Sequence, residues 1–135
     1  MTYKVIQWSL GTVACDAVAG IVGHRDLELV GAWVHSDAKA GRDIGELVGN
    51  EPMGIVATGD VGAVLDSSAD CVCFMPGRTW VSDPMSTFEQ LLSILRSGKN
   101  VVNLWWPTLV YPKAAGGDLY ERLDAACRED RKSVV

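Results

Sequence analysis

The sequence predicts an α/β protein built on a doubly wound, mostly parallel sheet. Two observations carry that expectation. Short apolar runs alternate with segments whose apolar residues recur at helical spacing, the strand–helix order of such sheets. The second apolar run is hydrophobic on nearly every residue, as suits a strand covered by helices above and below.

Each element follows from local pattern. Tyr3 to Trp8 reads as the first strand. Thr12 to Val22 places Val13, Ala14, Ala17, Val18, Ile21 and Val22 at helical spacing, with Gly23 as the expected stop. Leu27 to Val34 is the second strand. Ser36 to Glu51 is polar and Gly-rich, with one amphipathic piece from Ile44 to Val48. Met53 to Ala57 is expected as a brief third strand, and Asp60 as the cap of a short helix running to Leu65. Asp70 to Met75 is the next strand, stopped by Pro76-Gly77. The best-marked helix follows. Ser86-Thr87-Phe88-Glu89 has the form of a capping box, Phe88, Leu91, Leu92 and Leu95 make one stripe, and Gly98 ends it. Asn100 to Asn103 is a strand. A capped helix starts at Asp118, with a stripe of Leu119, Leu123, Ala126 and Cys127, and Ser133-Val134-Val135 opens one more strand. The irregular stretches 36–51, 76–85 and 104–117 each follow a strand. Ligands of such sheets bind at the carboxyl ends of strands, so these stretches are the functional candidates.

Composition bounds the function. With 135 residues, 48% of them apolar and 21% charged, residues 1–135 are expected to form one domain with a real core rather than a disordered chain. No apolar run approaches the roughly 18 residues that would span a bilayer. The N-terminus lacks the apolar stretch and cleavage site of a signal peptide, so a cytoplasmic protein is expected. A net charge of −5 with scattered basic residues argues against nucleic acid or anionic membranes as partners. Cys15, Cys71, Cys73 and Cys127 form no C-x-x-C pair; they read as reduced thiols acting as small core residues, and no metal site is expected.

The strongest motif is the turn Trp8-Ser9-Leu10-Gly11-Thr12-Val13-Ala14. Aligned on G-x-G-x-x-G/A it holds Ser9, Gly11 and Ala14 at the three special positions. Gly11 lets a pyrophosphate approach the backbone, and Ala14 is small enough for helix–strand packing. The helix opening at Thr12 presents unpaired N–H groups and partial positive charge to an anion. Ser9 is the departure: if the turn needs a left-handed residue there, serine costs roughly 1–2 kcal/mol. The context points to a dinucleotide cofactor held by a Rossmann-type fold, with Ser9, Leu10, Gly11, Thr12 and Val13 as contacts.

The second strand tip bears on which dinucleotide. A site for NAD usually offers Asp or Glu to the ribose about 20 residues on. Here the strand ends in His35-Ser36, followed by Asp37, Lys39 and Arg42. A hydroxyl and two cations suit a 2′-phosphate, which favours NADP over NAD. Asp37 is a candidate for the ribose in its own right, and Lys39 and Arg42 also read as the solvated charges of a loop. His35 is expected beside the adenosine rather than in acid–base work.

These residues resemble a known family. Lys4 to Trp8, the phosphate turn, Leu27 to Ser36, Gly41-Arg42-Asp43, Gly45-Glu46-Leu47, Ala69 to Val72 and Ser97 to Val102 together resemble the cofactor domain of dihydrodipicolinate reductase-like oxidoreductases. The branch with 2,4-diaminopentanoate dehydrogenase-like proteins is the nearest in pattern. The resemblance implies hydride transfer between NADP or NAD and an imine or carbonyl substrate. It also implies that Met75-Pro76-Gly77 and Asn103-Leu104-Trp105 close around the nicotinamide, so Pro76 and Gly77 join the expected contacts. Members carry a second domain with substrate contacts and usually the oligomer interface. The chain is accordingly expected to stop before any second domain, and to need that domain or a homo-oligomer. A noncatalytic or degenerate nucleotide-binding module is the rival reading. His35, Tyr111, Lys113 and Cys73 are weighed as proton donors or nucleophiles. Tyr111 and Lys113 lack the Y-x-x-x-K spacing, and no catalytic residue is assigned. Trp105-Trp106 suits either a binding edge or an interface.

Overall fold

The computed structural model describes residues 1–135. Five parallel strands form one sheet in the order β3-β2-β1-β4-β5, where β1 is Tyr3–Trp8, β2 Leu27–Trp33, β3 Ala57–Thr58, β4 Cys71–Phe74 and β5 Asn100–Asn103. Val134 adds an isolated parallel bridge to Val101, which lays residues 133–135 beside β5. The order reverses between β1 and β4, the switch point at which such sheets open a crevice.

Helix α1 (Thr12–Gly23) returns the chain from β1 to β2, and α3 (Val61–Asp66), α5 (Pro84–Arg96) and α6 (Leu119–Glu129) follow β3, β4 and β5. Alternate residues of β1 feed two separate cores. Val5 packs with Val18 and Ile21 of α1, whereas Ile6 and Trp8 pack with Val64 of α3, the Phe88, Leu91, Leu92 and Leu95 stripe of α5, and Leu123 and Ala126 of α6. The period-2 strand and the 3.6-residue helix thus meet on both faces. Lys99, only 2% exposed, is anchored by its ammonium donating to the Leu65 carbonyl at 2.7 Å.

Several sequence expectations are corrected. Helix α5 starts at Pro84, not at a Ser86 capping box: the Asp83 carboxylate accepts from Ser86 N–H at 3.1 Å, and Thr87 is buried with its hydroxyl on the Asp83 carbonyl. Proline's fixed φ and missing N–H suit a first helical position, which moves the cap from Ser86 to Asp83, three residues upstream. The stretch 76–85 holds a short helix, α4 (Thr79–Ser82), and 104–117 holds 3-10 turns at Pro107–Val110 and Pro112–Ala115. The third strand falls at 57–58 because the segment before it is held by Asp43, whose carboxylate takes the Met53 and Gly54 N–H groups at 2.9 and 2.7 Å. Asp43 also caps the short helix α2 (Ile44–Leu47) through Gly45 N–H. Helix α1 runs through Gly23 and ends on an extended His24. Asp118 precedes α6 without a side-chain cap bond. All four cysteines are half-buried rather than core; Cys71 and Cys73 lie on one strand in an open apolar groove with Val5, Ile21 and Val102.

Candidate functional site

The carboxyl edge is built on three aromatic rings. Trp8, Trp33 and Phe74 end β1, β2 and β4 in register, and Trp8 stacks on Trp33 at 4.4 Å and lies 5.7 Å from Phe74. This packing fixes the level at which the chain leaves β1.

Ser9 leaves the strand at φ +72, in the left-handed region, with its N–H on the Trp33 carbonyl at 2.7 Å. Leu10 turns inward to 4% exposure. Gly11 then caps α1 with no side-chain bond. The N–H groups of Thr12, Val13 and Ala14 have no acceptor, because the first turn of a helix lacks internal partners. A Cβ on Gly11 would meet no protein atom within 4 Å, so the space before these donors is open. It is a cavity of about 310 Å³. Ser9 to Ala14, apart from the inward Leu10, form one wall; Met75, Gly77 and Arg78 after β4 and Trp105 after β5 form the other.

A second cavity, about 250 Å³, opens beside the first at the tips of β2 and α4. His35 and Trp33 lie on one side, and Thr79, Ser82, Asp83 and Gln90 on the other. The adjoining loop carries the cations. The Lys39 ammonium donates to the Leu10 carbonyl at 2.8 Å, which seats a positive charge on the back of the phosphate turn. Ser36 and Arg42 are exposed, and neither side chain makes a hydrogen bond or ion pair.

The sequence candidates therefore divide. Ser9, Gly11, Thr12, Val13 and Gly77 share the first cavity, and His35 lines the second. Leu10 and Pro76 are buried, and contribute their carbonyls, to Lys39 and to the Thr79 hydroxyl at 2.6 Å. Ser36, Lys39 and Arg42 line neither cavity and sit on the loop beside them. Reasoning from sequence missed Arg78 and Thr79, although both fall in the 76–85 stretch after a strand. The other weighed groups lie elsewhere. Tyr111 is exposed, and Lys113 stands over the Tyr120 ring at 5.1 Å. Burial pushes the Cys73 thiol up to about 11, which leaves it protonated. The tryptophan pair splits: Trp105 lines the cavity, and Trp106 packs edge-on against Phe88 at 5.3 Å. No group of three or more His, Cys, Asp or Glu stands close enough to hold a metal, and no helix is long and apolar enough to cross a membrane.

No family model matches the chain. An amine dehydrogenase of Streptomyces virginiae is 31% identical over 101 residues, covering 74% of this chain and 28% of that protein. Among solved structures, an amine dehydrogenase from Mycobacterium smegmatis superposes with a TM-score of 0.84 at 24% identity, over 99% of this chain and 38% of the other. A Synechocystis biliverdin reductase, solved with biliverdin and NADP+, superposes with a TM-score of 0.68 at 19% identity, over 97% of this chain and 37% of the other. The chain thus has the Rossmann-like fold of these oxidoreductases and spans about a third of their length.

Proposed function

We propose that this chain is the dinucleotide-binding module of an oxidoreductase in the dihydrodipicolinate reductase-like group, and that it holds NADP in preference to NAD. The observation that carries the reading is the uncapped mouth of α1. Three free N–H groups face a cavity at the switch point of the sheet, and Gly11 leaves the approach open. Residues and cofactor fit. Thr12, Val13 and Ala14 N–H groups hold the diphosphate, His35 and Thr79 flank the adenosine, and Lys39, with Ser36 and Arg42, takes the 2′-phosphate. Met75, Gly77 and Trp105 enclose the nicotinamide end, where the bound cofactor supplies or accepts a hydride. The two amine dehydrogenases among the relatives support an imine or carbonyl as the partner in that transfer.

The polar side chains on the cavity wall are Ser9, Thr12 and Arg78. None is a carboxyl, imidazole, thiol or phenol, the groups that usually carry proton transfer. In this reading the module binds and orients the cofactor, while the proton donor and substrate contacts come from a second domain or a partner copy. The same wall favours the alternative of a noncatalytic nucleotide-binding module, which any turnover rules out. Oxidation of NADPH by the purified chain with a cyclic imine or short amino-ketone excludes the noncatalytic reading. Binding is tested by titrating tryptophan fluorescence, with Trp105 on the cavity wall as reporter. NADPH is expected to quench it and to bind more tightly than NADH, and Lys39→Ala to narrow that difference. A folded sample that shows no change at millimolar cofactor refutes the proposal.

A further inference from the structure

We propose that Arg78 is a binding residue for the cofactor's diphosphate, closing the seat from the side opposite α1. The inference rests on the dinucleotide reading of the two cavities and adds a residue to it. Gly77 and Arg78 line the first cavity, and Thr79 lines the second. Segment 77–79 is therefore the partition between them. The two halves of a dinucleotide are joined only through the diphosphate, so a ligand filling both cavities carries that group across this partition.

Arg78 is suited to meet it. The backbone there is held firmly: Thr79 Oγ1 donates to the Pro76 carbonyl at 2.6 Å, and the Val81 and Ser82 N–H groups donate to the Arg78 carbonyl at 3.0 and 3.2 Å. The guanidinium, by contrast, is uncommitted. Arg25, Arg122 and Arg128 each pair with a carboxylate, while the Arg78 side chain makes no hydrogen bond or ion pair. It is the single charged side chain on the wall of the first cavity. Its planar fork of donors matches phosphate oxygens, and the free N–H groups of Thr12 and Val13 face the same space from the other wall. An anion lying between them is held by backbone dipoles on one side and by a full charge on the other.

The test compares the full chain with its Arg78→Ala, Arg78→Gln, Arg78→Lys and Lys39→Ala variants by calorimetric titration. The probes are NADPH, ADP-ribose (a diphosphate without a 2′-phosphate) and adenosine 2′-monophosphate (the reverse). Arg78→Ala and Arg78→Gln are expected to weaken NADPH and ADP-ribose by about tenfold or more, the scale of a hydrogen bond to a charged group, and to leave adenosine 2′-monophosphate unchanged. Arg78→Lys keeps the charge without the fork and falls between. Lys39→Ala gives the opposite pattern, losing adenosine 2′-monophosphate while keeping ADP-ribose. Because the Arg78 side chain is exposed and unpaired, all of its variants should melt with the parent. ADP-ribose bound equally by parent and Arg78→Ala overturns the inference alone. Equal loss of adenosine 2′-monophosphate overturns it too, placing Arg78 at the adenosine end. A parent that binds none of the three probes refutes the dinucleotide reading itself.

Discussion

Replacing Ser9 by glycine should stabilise the protein. Ser9 sits at φ +72, where a side chain's Cβ crowds the backbone at a cost of roughly 1–2 kcal/mol. Its hydroxyl makes no hydrogen bond, so the substitution removes no side-chain partner. Glycine relieves the strain but loses more chain entropy on folding, roughly 0.5–1 kcal/mol, leaving a net gain of about 0.5–1 kcal/mol. At about 2.1 cal/mol/K per residue, the unfolding entropy of 135 residues is about 0.28 kcal/mol/K, so the gain raises Tm by about 2–4 °C. Ser9→Ala is the control. It deletes the hydroxyl and keeps the Cβ, so its Tm should stay near the parent's. Thermal melts and urea titrations of all three chains decide the matter. Glycine and alanine variants melting together would refute the reasoning, because the strain would then not lie in the backbone of the turn.

Three further outcomes follow from the same kind of reading. A Cβ at Gly45 would stand 2.1 Å from the Glu51 carbonyl oxygen, so Gly45→Ala should cost at least the roughly 1–3 kcal/mol of an overpacked site, with faster amide exchange across 43–56. The backbone N–H groups led by Met53, with Gly54, Gly45 and Glu46, hold the Asp43 carboxyl below its ordinary value of 3.8. A lowered folded value means that the loop's stabilisation is complete above that ordinary value and fades as pH falls through the lowered one. Hydrogen exchange between pH 5 and 2 should show the loop loosening in acid, and Asp43→Asn should remove that dependence. Cys73, held up to about 11 by burial first and Cys71 second, should label very slowly. A rise from 9.0 to about 11 puts its thiolate population at pH 8 roughly a hundredfold below that of an unshifted thiol, and mass-resolved iodoacetamide labelling compared with a free-thiol peptide measures it.

Local chemistry made much of this protein legible in one dimension. β1 spans Tyr3–Trp8, as its apolar run implied; Asp60 caps α3 and accepts from Gly62 N–H at 2.8 Å; and the Phe88, Leu91, Leu92 and Leu95 stripe is buried. Such features depend on neighbours a few residues away, which is why periodicity and capping patterns reveal them. The Gly11 turn was legible for the same reason, since strand, turn and helix are contiguous. What tertiary structure decided is whatever depends on residues distant in sequence. Asp43 draws the 53–54 backbone and so shifts β3. Pro84 and Asp83 displace a plausible cap at Ser86. Lys39 reaches back to the Leu10 carbonyl, and Arg78 comes to face the mouth of α1 only because β4 lies next to β1 in the sheet. Pairing across more than sixty residues leaves no mark in local spacing, because its energy comes from burial shared by both strands and belongs to neither alone.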